Sequence, residues 1–148
     1  MYDSIIIGSG PAGLSAAVYG KRAGMDILVI EKQPVSGGQI LNTYEVDNYL
    51  GLPGISGWDM GETFRAHAEK MGAPFSEEEV RSVTDSGSVK IVRTDRNEYQ
   101  TKTVIIATGA HHALLNIPGE EKLTGMGVSY CATCDGAFFR NRVACVVG

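Results

Sequence analysis

The apolar positions fall into short runs punctuated by glycine. Ser4 to Gly8 carries three successive isoleucines, Ile5-Ile6-Ile7, and reads as a short buried strand. Pro11 to Ala23 has proline near its first turn and Gly24 just past its end, the asymmetry that brackets a helix. Ile27 to Glu31 is a second buried strand. Strand, tight turn, helix and strand within about 30 residues make a βαβ unit with a right-handed crossover, so the sheet is parallel at its start.

From Gln33 to Gly57 the chain is rich in Gly, Pro, Asn and Ser and reads as a long irregular segment. Irregular loops of that length in compact domains are usually functional, so this one is expected to line a ligand. Trp58 to Met71 places Met60, Phe64, Ala68 and Met71 at helical spacing, with Gly72 and Pro74 as stop signals. Val80 to Val83, Val89 to Thr94 and Glu98 to Lys102 form an antiparallel meander turning at Ser86-Gly87 and Asp95-Arg96-Asn97. The meander feeds a further buried strand, Val104 to Ala107. At the end, Val143 to Val147 repeats the opening pattern of an apolar strand running into glycine, here Gly148. The fold class is α/β: a Rossmann-like dinucleotide-binding domain with a parallel sheet and a meander, plus the start of a second such domain. A half-formed βαβ unit cannot bury its strand, so the chain is expected to be a fragment of a longer protein.

Composition narrows the class. With 148 residues, 43% apolar and 20% charged, the chain has the balance of one soluble globular domain, and 19 glycines point to many tight backbone sites. The formal charge of -4 and scattered Lys and Arg supply no basic field, so no nucleic acid is expected as partner. No basic leader precedes an apolar stretch and no apolar run is long enough to span a bilayer, so no membrane partner is expected and the cytoplasm is the expected compartment. Three cysteines are too few for a secreted disulfide scaffold. The close pair, Cys131 and Cys134, is therefore catalytic or metal-binding, and Cys145 lies within the final apolar run.

Gly8-Ser9-Gly10-Pro11-Ala12-Gly13 is a complete G-x-G-x-x-G set between a strand and a helix. The first glycine allows the tight turn, the second lets backbone approach a pyrophosphate, and the third lets helix and sheet pack closely. The helix N-terminus adds free N–H donors and a partial positive charge. Glu31, with Lys32 beside it, ends the second strand 18 positions after Gly13, near the usual place of the acid that binds a ribose 2′-hydroxyl. A carboxylate there repels a 2′-phosphate, so this site favours FAD or NAD over NADP.

The spacing Cys131-Ala132-Thr133-Cys134 suits a reversible disulfide or half of a zinc site. Zinc needs two further ligands, and Cys145, His67, His111 and His112 are not spaced as a second pair, so no metal is expected. Thiol–disulfide exchange needs one thiolate to attack and a second to resolve the mixed disulfide, which three-residue spacing supplies. The pair sits in a polar turn continued by Asp135-Gly136. Asp135 either moves protons to and from the leaving thiolate or serves only as a turn former.

The fingerprint, the Gly37-Gly38-Gln39 stretch, Thr108-Gly109 after a strand, and the run Cys131-Ala132-Thr133-Cys134-Asp135-Gly136 together resemble the low-molecular-weight, FAD-dependent thioredoxin reductases of bacterial type, over essentially all of the chain. The resemblance implies that residues 1–118 begin a FAD-binding domain and residues 119–148 begin an NAD(P)-binding domain carrying the cysteine pair. It implies that Cys134 faces the flavin, Cys131 exchanges with thioredoxin and Asp135 is the acid/base. Gly37, Gly38 and Gln39 then touch the flavin, and Asn48 lies in the matching loop. Electrons pass from NADPH to FAD, to the disulfide and to thioredoxin, in a homodimer. Leu50, where proline is common in the family, and Ala113, where a basic residue is common, depart from the pattern. Relatives of the same build use ferredoxin as donor or serve a peroxiredoxin, and the isolated 148 residues are expected to be an inactive dinucleotide-binding fragment.

Overall fold

A computed structural model describes residues 1–147, with Thr133 and Cys134 described by their backbone only. The chain gathers into two compact units, Met1–Ala110 and His111–Gly148. Among the described residues no helix is long and apolar enough to cross a membrane.

The first unit is a mixed six-stranded sheet with two helices, a Rossmann-like arrangement. Its elements in chain order are β1 (Tyr2–Ile7), α1 (Pro11–Arg22), β2 (Ile27–Glu31), a 3-10 helix (Gly38–Asn42), α2 (Gly57–Lys70), β3 (Phe75–Glu77), β4 (Val80–Asp85), β5 (Lys90–Thr94) and β6 (Glu98–Ile106). The sheet order is β3-β2-β1-β6-β5-β4. β1 lies parallel to β2 and β6, and β3 is parallel to β2. The isoleucine run of β1 makes the sheet two-faced, because successive side chains alternate. Ile6, with Ile27 and Val29 of β2, packs under Leu14 and Ala17 of α1 and Ala68 of α2. Ile5 and Ile7, with Leu28 and Ile30, are covered instead by Val92, Val80 and Tyr99 of the meander.

Several expectations are corrected here. Val104 to Ala107 is not a separate strand but the end of β6, which pairs antiparallel with β5 up to Thr101 and parallel with β1 from there on. Thr101, fully buried at the switch, donates its hydroxyl to the Thr103 carbonyl at 2.9 Å and satisfies the backbone where the partner changes. Nor is that stretch buried: Ile106 is 73% exposed, because no element of this unit covers that end of β6. β3 lacks an alternating pattern of its own and was not expected; it forms because Val29–Glu31 offers a free edge. The Gln33 to Gly57 segment, expected to be irregular, contains the 3-10 helix and a bridge from Val46 to Ile55.

The second unit is short-ranged. It contains α3 (Glu120–Leu123), α4 (Ala132–Asp135) and a 3-10 turn (Gly136–Phe139). The cysteine run thus begins a helical turn rather than a loop, because Asp135 N–H closes back on the Cys131 carbonyl at 3.0 Å. Its anchor is Glu120, buried, whose carboxylate accepts from the N–H groups of Leu115 (2.9 Å) and Asn116 (2.6 Å) and from the Tyr130 hydroxyl (2.7 Å). Tyr130 and those backbone donors hold it below the usual carboxylate range. The expected strand at Val143 to Val147 is absent, and Cys145 is a free, exposed thiol rather than a buried one. A strand needs a neighbour for its N–H and C=O groups, and among the described residues this segment pairs with no strand. Gly148, expected to end that strand, lies outside the described residues.

Candidate functional site

Three separate stretches meet where the parallel strands end. β1 runs directly into Gly8, whose φ of 102° only glycine adopts without strain. A Cβ on Gly8 would lie 2.3 Å from the Ala107 carbonyl oxygen and 3.2 Å from Thr108 Cα, so Thr108, just past β6, abuts the fingerprint. A Cβ on Gly13 would lie 2.0 Å from the Gly8 oxygen, which is how closely α1 is drawn onto the turn. From the other side, Gly37 N–H donates to the Ser9 carbonyl at 3.0 Å, and a Cβ on Gly38 would come within 3.5 Å of Gly10 Cα. Gly10 itself is different: the nearest atom to a Cβ built there is the Gly37 oxygen, 3.9 Å away, an ordinary contact, so nothing in the chain crowds it.

The site lies at the carboxyl ends of strands where the order reverses about β1, the place where open α/β sheets bind ligands. Its electrostatics suit an anion. Gly10 is the N-cap of α1 and provides no side-chain cap, Pro11 at the first position has no N–H, and no acidic residue stands in the first turn. Leu14 N–H makes the first intrahelical bond, to Gly10, so the N–H groups of Ala12 and Gly13 have no partner within the helix. Lys21 and Arg22 in the last turn complement the other end of the dipole.

Glu31 closes the turn from the side. Its Oε2 accepts from Ser9 N–H at 2.8 Å and from the Ser9 hydroxyl at 2.9 Å, and its Oε1 accepts from Gln33 N–H at 3.0 Å. Oε2 thus takes both Ser9 donors, and Oε1 retains a lone pair for a further donor. Lys32, Gly38, Gln39, Asn48, Thr108 and Gly109 are all exposed, whereas Ser9 and Gly37 are buried in the turn. The features present fit a dinucleotide: a glycine-lined opening, free helix N–H groups for a pyrophosphate and a carboxylate for a ribose.

The loop over this site is fixed by α2. Ser56 caps that helix, accepting from Asp59 N–H at 3.0 Å. A Cβ on Gly57 would lie 1.7 Å from the Ile40 oxygen, and one on Gly61 would lie 2.8 Å from the Ser36 oxygen. Two glycines one turn apart therefore let α2 press onto the 3-10 helix that begins with Gly38 and Gln39. Arg65 completes the clasp, donating to the Ser36 hydroxyl at 3.0 Å and stacking on Phe75. His67 is exposed and lines a cavity with Leu14, Val18 and Tyr19 of α1 and with Tyr49 and Phe64.

One residue the sequence did not flag stands behind Glu31. Glu78, buried, donates its N–H to the Glu31 carbonyl at 3.0 Å. Its carboxylate accepts from Ser76 (2.5 Å), Asn97 (3.0 Å), Tyr99 (2.6 Å) and the Thr94 hydroxyl. Burial pushes its pKa up, but those four donors outweigh it and lower it to about 2. The donors are drawn from three different strands and turns, so no local signal announces the cluster.

In the second unit, Cys131 is disulfide-bonded. The side chain of Cys134, expected to face a flavin, lies outside the described residues. Ser129 donates to Asp135 Oδ2 at 2.6 Å and accepts from Cys131 N–H at 3.1 Å.

A family model described as pyridine nucleotide-disulphide oxidoreductase matches residues 2–148. The thioredoxin reductase of Listeria monocytogenes is 48% identical over 148 residues, all of this chain and 46% of the relative. The solved thioredoxin reductase of Streptococcus pyogenes is similar with a TM-score of 0.81 and 46% identity, over 94% of this chain and 45% of that one. A ferredoxin-flavin thioredoxin reductase from Clostridium acetobutylicum has a TM-score of 0.70 and 33% identity, over 93% of this chain and 48% of that one. The chain thus spans about half the length of the relatives it matches.

Proposed function

The chain belongs to the pyridine nucleotide-disulphide oxidoreductases, and from that premise we propose that it forms part of a FAD-dependent thioredoxin-disulfide reductase. The observation that carries the reading is the pairing, in one chain, of an open nucleotide cradle with an oxidised cysteine turn. The thioredoxin reductases among its relatives support the substrate.

In this reading the N–H groups of Ala12 and Gly13 bind the pyrophosphate of FAD, and the open face at Gly10 lets it approach. Glu31 accepts from the adenosine ribose while keeping Ser9 in place. Gly38, Gln39, Asn48, Thr108 and Gly109 line the remainder. Bound there, FAD supplies a two-electron relay between a nicotinamide donor and the disulfide. The chain's own chemistry is thiol–disulfide exchange. Once the pair is reduced, the Cys131 thiolate attacks one sulfur of the thioredoxin disulfide and displaces the other as a thiolate. Cys134 then attacks Cys131, releasing the second thioredoxin sulfur and restoring the Cys131–Cys134 disulfide. Two electrons and two protons leave the pair, and Asp135 exchanges protons with the departing sulfurs.

NADPH is our proposed donor, and we place the whole protein in the cytoplasm as a homodimer, with the domain boundary near Pro118. Reduced ferredoxin is the second reading, favoured by the similarity to the Clostridium acetobutylicum structure. The intact protein should purify yellow with one flavin per chain and reduce thioredoxin with one of the two donors. A colourless protein that takes up no added flavin would overturn the proposal; turnover with ferredoxin alone would replace the donor.

A further inference from the structure

Asp135 is held to the cysteine turn at two points. Its N–H donates to the Cys131 carbonyl at 3.0 Å, and its carboxylate receives the Ser129 hydroxyl at 2.6 Å. The same Ser129 oxygen accepts Cys131 N–H at 3.1 Å. A hydroxyl has one proton to give. The carboxylate takes it, since a charge-assisted bond of that length is stronger than the 3.3 Å contact to the Cys131 carbonyl. A serine that merely forms a turn needs only the N–H of Cys131. The second bond, to a side chain six residues on, fixes where the carboxylate points.

We propose that Ser129 is a positioning residue of the dithiol centre: bridging Cys131 N–H and the Asp135 carboxylate, it holds Asp135 where it exchanges protons with the cysteine sulfurs. This rests on the reading of Asp135 as the acid/base. The step concerned is exchange with a disulfide RS–SR. Cys131 thiolate bonds to one sulfur, the S–S bond breaks, and the departing RS⁻ takes a proton. Cys134 then displaces the second RS⁻, which is protonated in turn, so two electrons and two protons pass from the pair to two RSH.

Positioning for proton delivery matters only when the leaving thiolate needs a proton, and that separates it from a general weakening of the turn. The intact protein, reduced and freed of reductant, is reacted at neutral pH with two small disulfides. Hydroxyethyl disulfide releases a basic alkyl thiolate; dithiobis-nitrobenzoate releases a weakly basic aryl thiolate that departs unprotonated. Ser129→Ala is expected to react roughly tenfold more slowly with the alkyl disulfide, within the range of general acid–base effects, and at an unchanged rate with the aryl one. Ser129→Thr, which keeps the hydroxyl, restores the alkyl rate. Asp135→Asn slows the alkyl reaction, and adding Ser129→Ala to it costs nothing more.

Equal slowing with both disulfides by Ser129→Ala, or a full additional loss on top of Asp135→Asn, would overturn the proposal. So would an unchanged alkyl rate in Ser129→Ala while Asp135→Asn is slow. If Asp135→Asn itself reacts as fast as the parent with both reagents, the acid/base reading falls and the proposal falls with it.

Discussion

Replacing Glu78 with glutamine tests whether a buried charge fastens the site. In Glu78→Gln the shape is kept. The remaining oxygen retains Ser76, Asn97 and Tyr99 as donors, and the new amide nitrogen faces Thr94. The Thr94 hydroxyl then turns to the Asn97 carbonyl, already 3.1 Å away. The Thr94 oxygen already accepts from the Arg96 and Asn97 N–H groups, so the new amide N–H adds a cost that does not change with pH, and the pH-dependent part of the loss is the charge. The carboxylate titrates at about 2 in the folded chain against an ordinary 4.5. At about 1.4 kcal/mol per pH unit that difference stabilises the fold by ~3 kcal/mol. A depressed pKa gives stability that is complete above the unfolded value and disappears as the pH falls through the folded one. The loss of charge should therefore open a gap between parent and variant of ~3 kcal/mol at pH 7, ~2 near pH 3.5 and ~1 near pH 2.5, on top of a pH-independent offset. Urea denaturation followed by circular dichroism at those pH values measures it. A gap that is absent at neutral pH, or constant down to the most acidic sample, refutes the assignment.

Gly13→Ala should destabilise by ~1–3 kcal/mol and lower flavin affinity, since relief of the 2.0 Å contact requires α1 to lift from the turn; calorimetry and flavin titration of the intact protein read both. Glu31→Arg should weaken flavin binding by removing the acceptor beside Ser9; unchanged affinity in a fluorescence titration would count against that role. The 148 residues alone should retain flavin weakly and show no NADPH-driven thioredoxin reduction, measurable by absorbance after gel filtration and by a turnover assay.

The local features were legible in the sequence. The isoleucine run, the bracketed helix and the glycine fingerprint each act within a few residues, so β1, α1 and β2 formed as read. The meander was legible from its turns. What escaped was decided by distant partners. β6 looked like two strands because its pairing changes at Thr101, and nothing near Val104 indicates whether an element covers it. Val143 to Val147 has strand composition but pairs with no strand among the described residues. Glu78 sits in an acidic stretch, Glu77-Glu78-Glu79, that reads as solvated surface; only the fold brings Thr94, Asn97 and Tyr99 to its middle member. Likewise the fingerprint was readable residue by residue, but that Gly37, Gly38 and Thr108 close around it was not.

The dual pairing of β6 bears on how the molecule is made. Ile7 pairs with Ile106, so the central strand of the sheet is synthesised first and one of its two neighbours last. At ribosomal speeds the interval is roughly 5–20 s, far longer than helix or hairpin formation. During that time the isoleucine run has only β2 beside it, and its other edge is open to any passing strand. Assembly of the nucleotide cradle, which needs Ala107 against Gly8, must wait for the same event, so flavin cannot assist the nascent chain until the whole first unit has emerged.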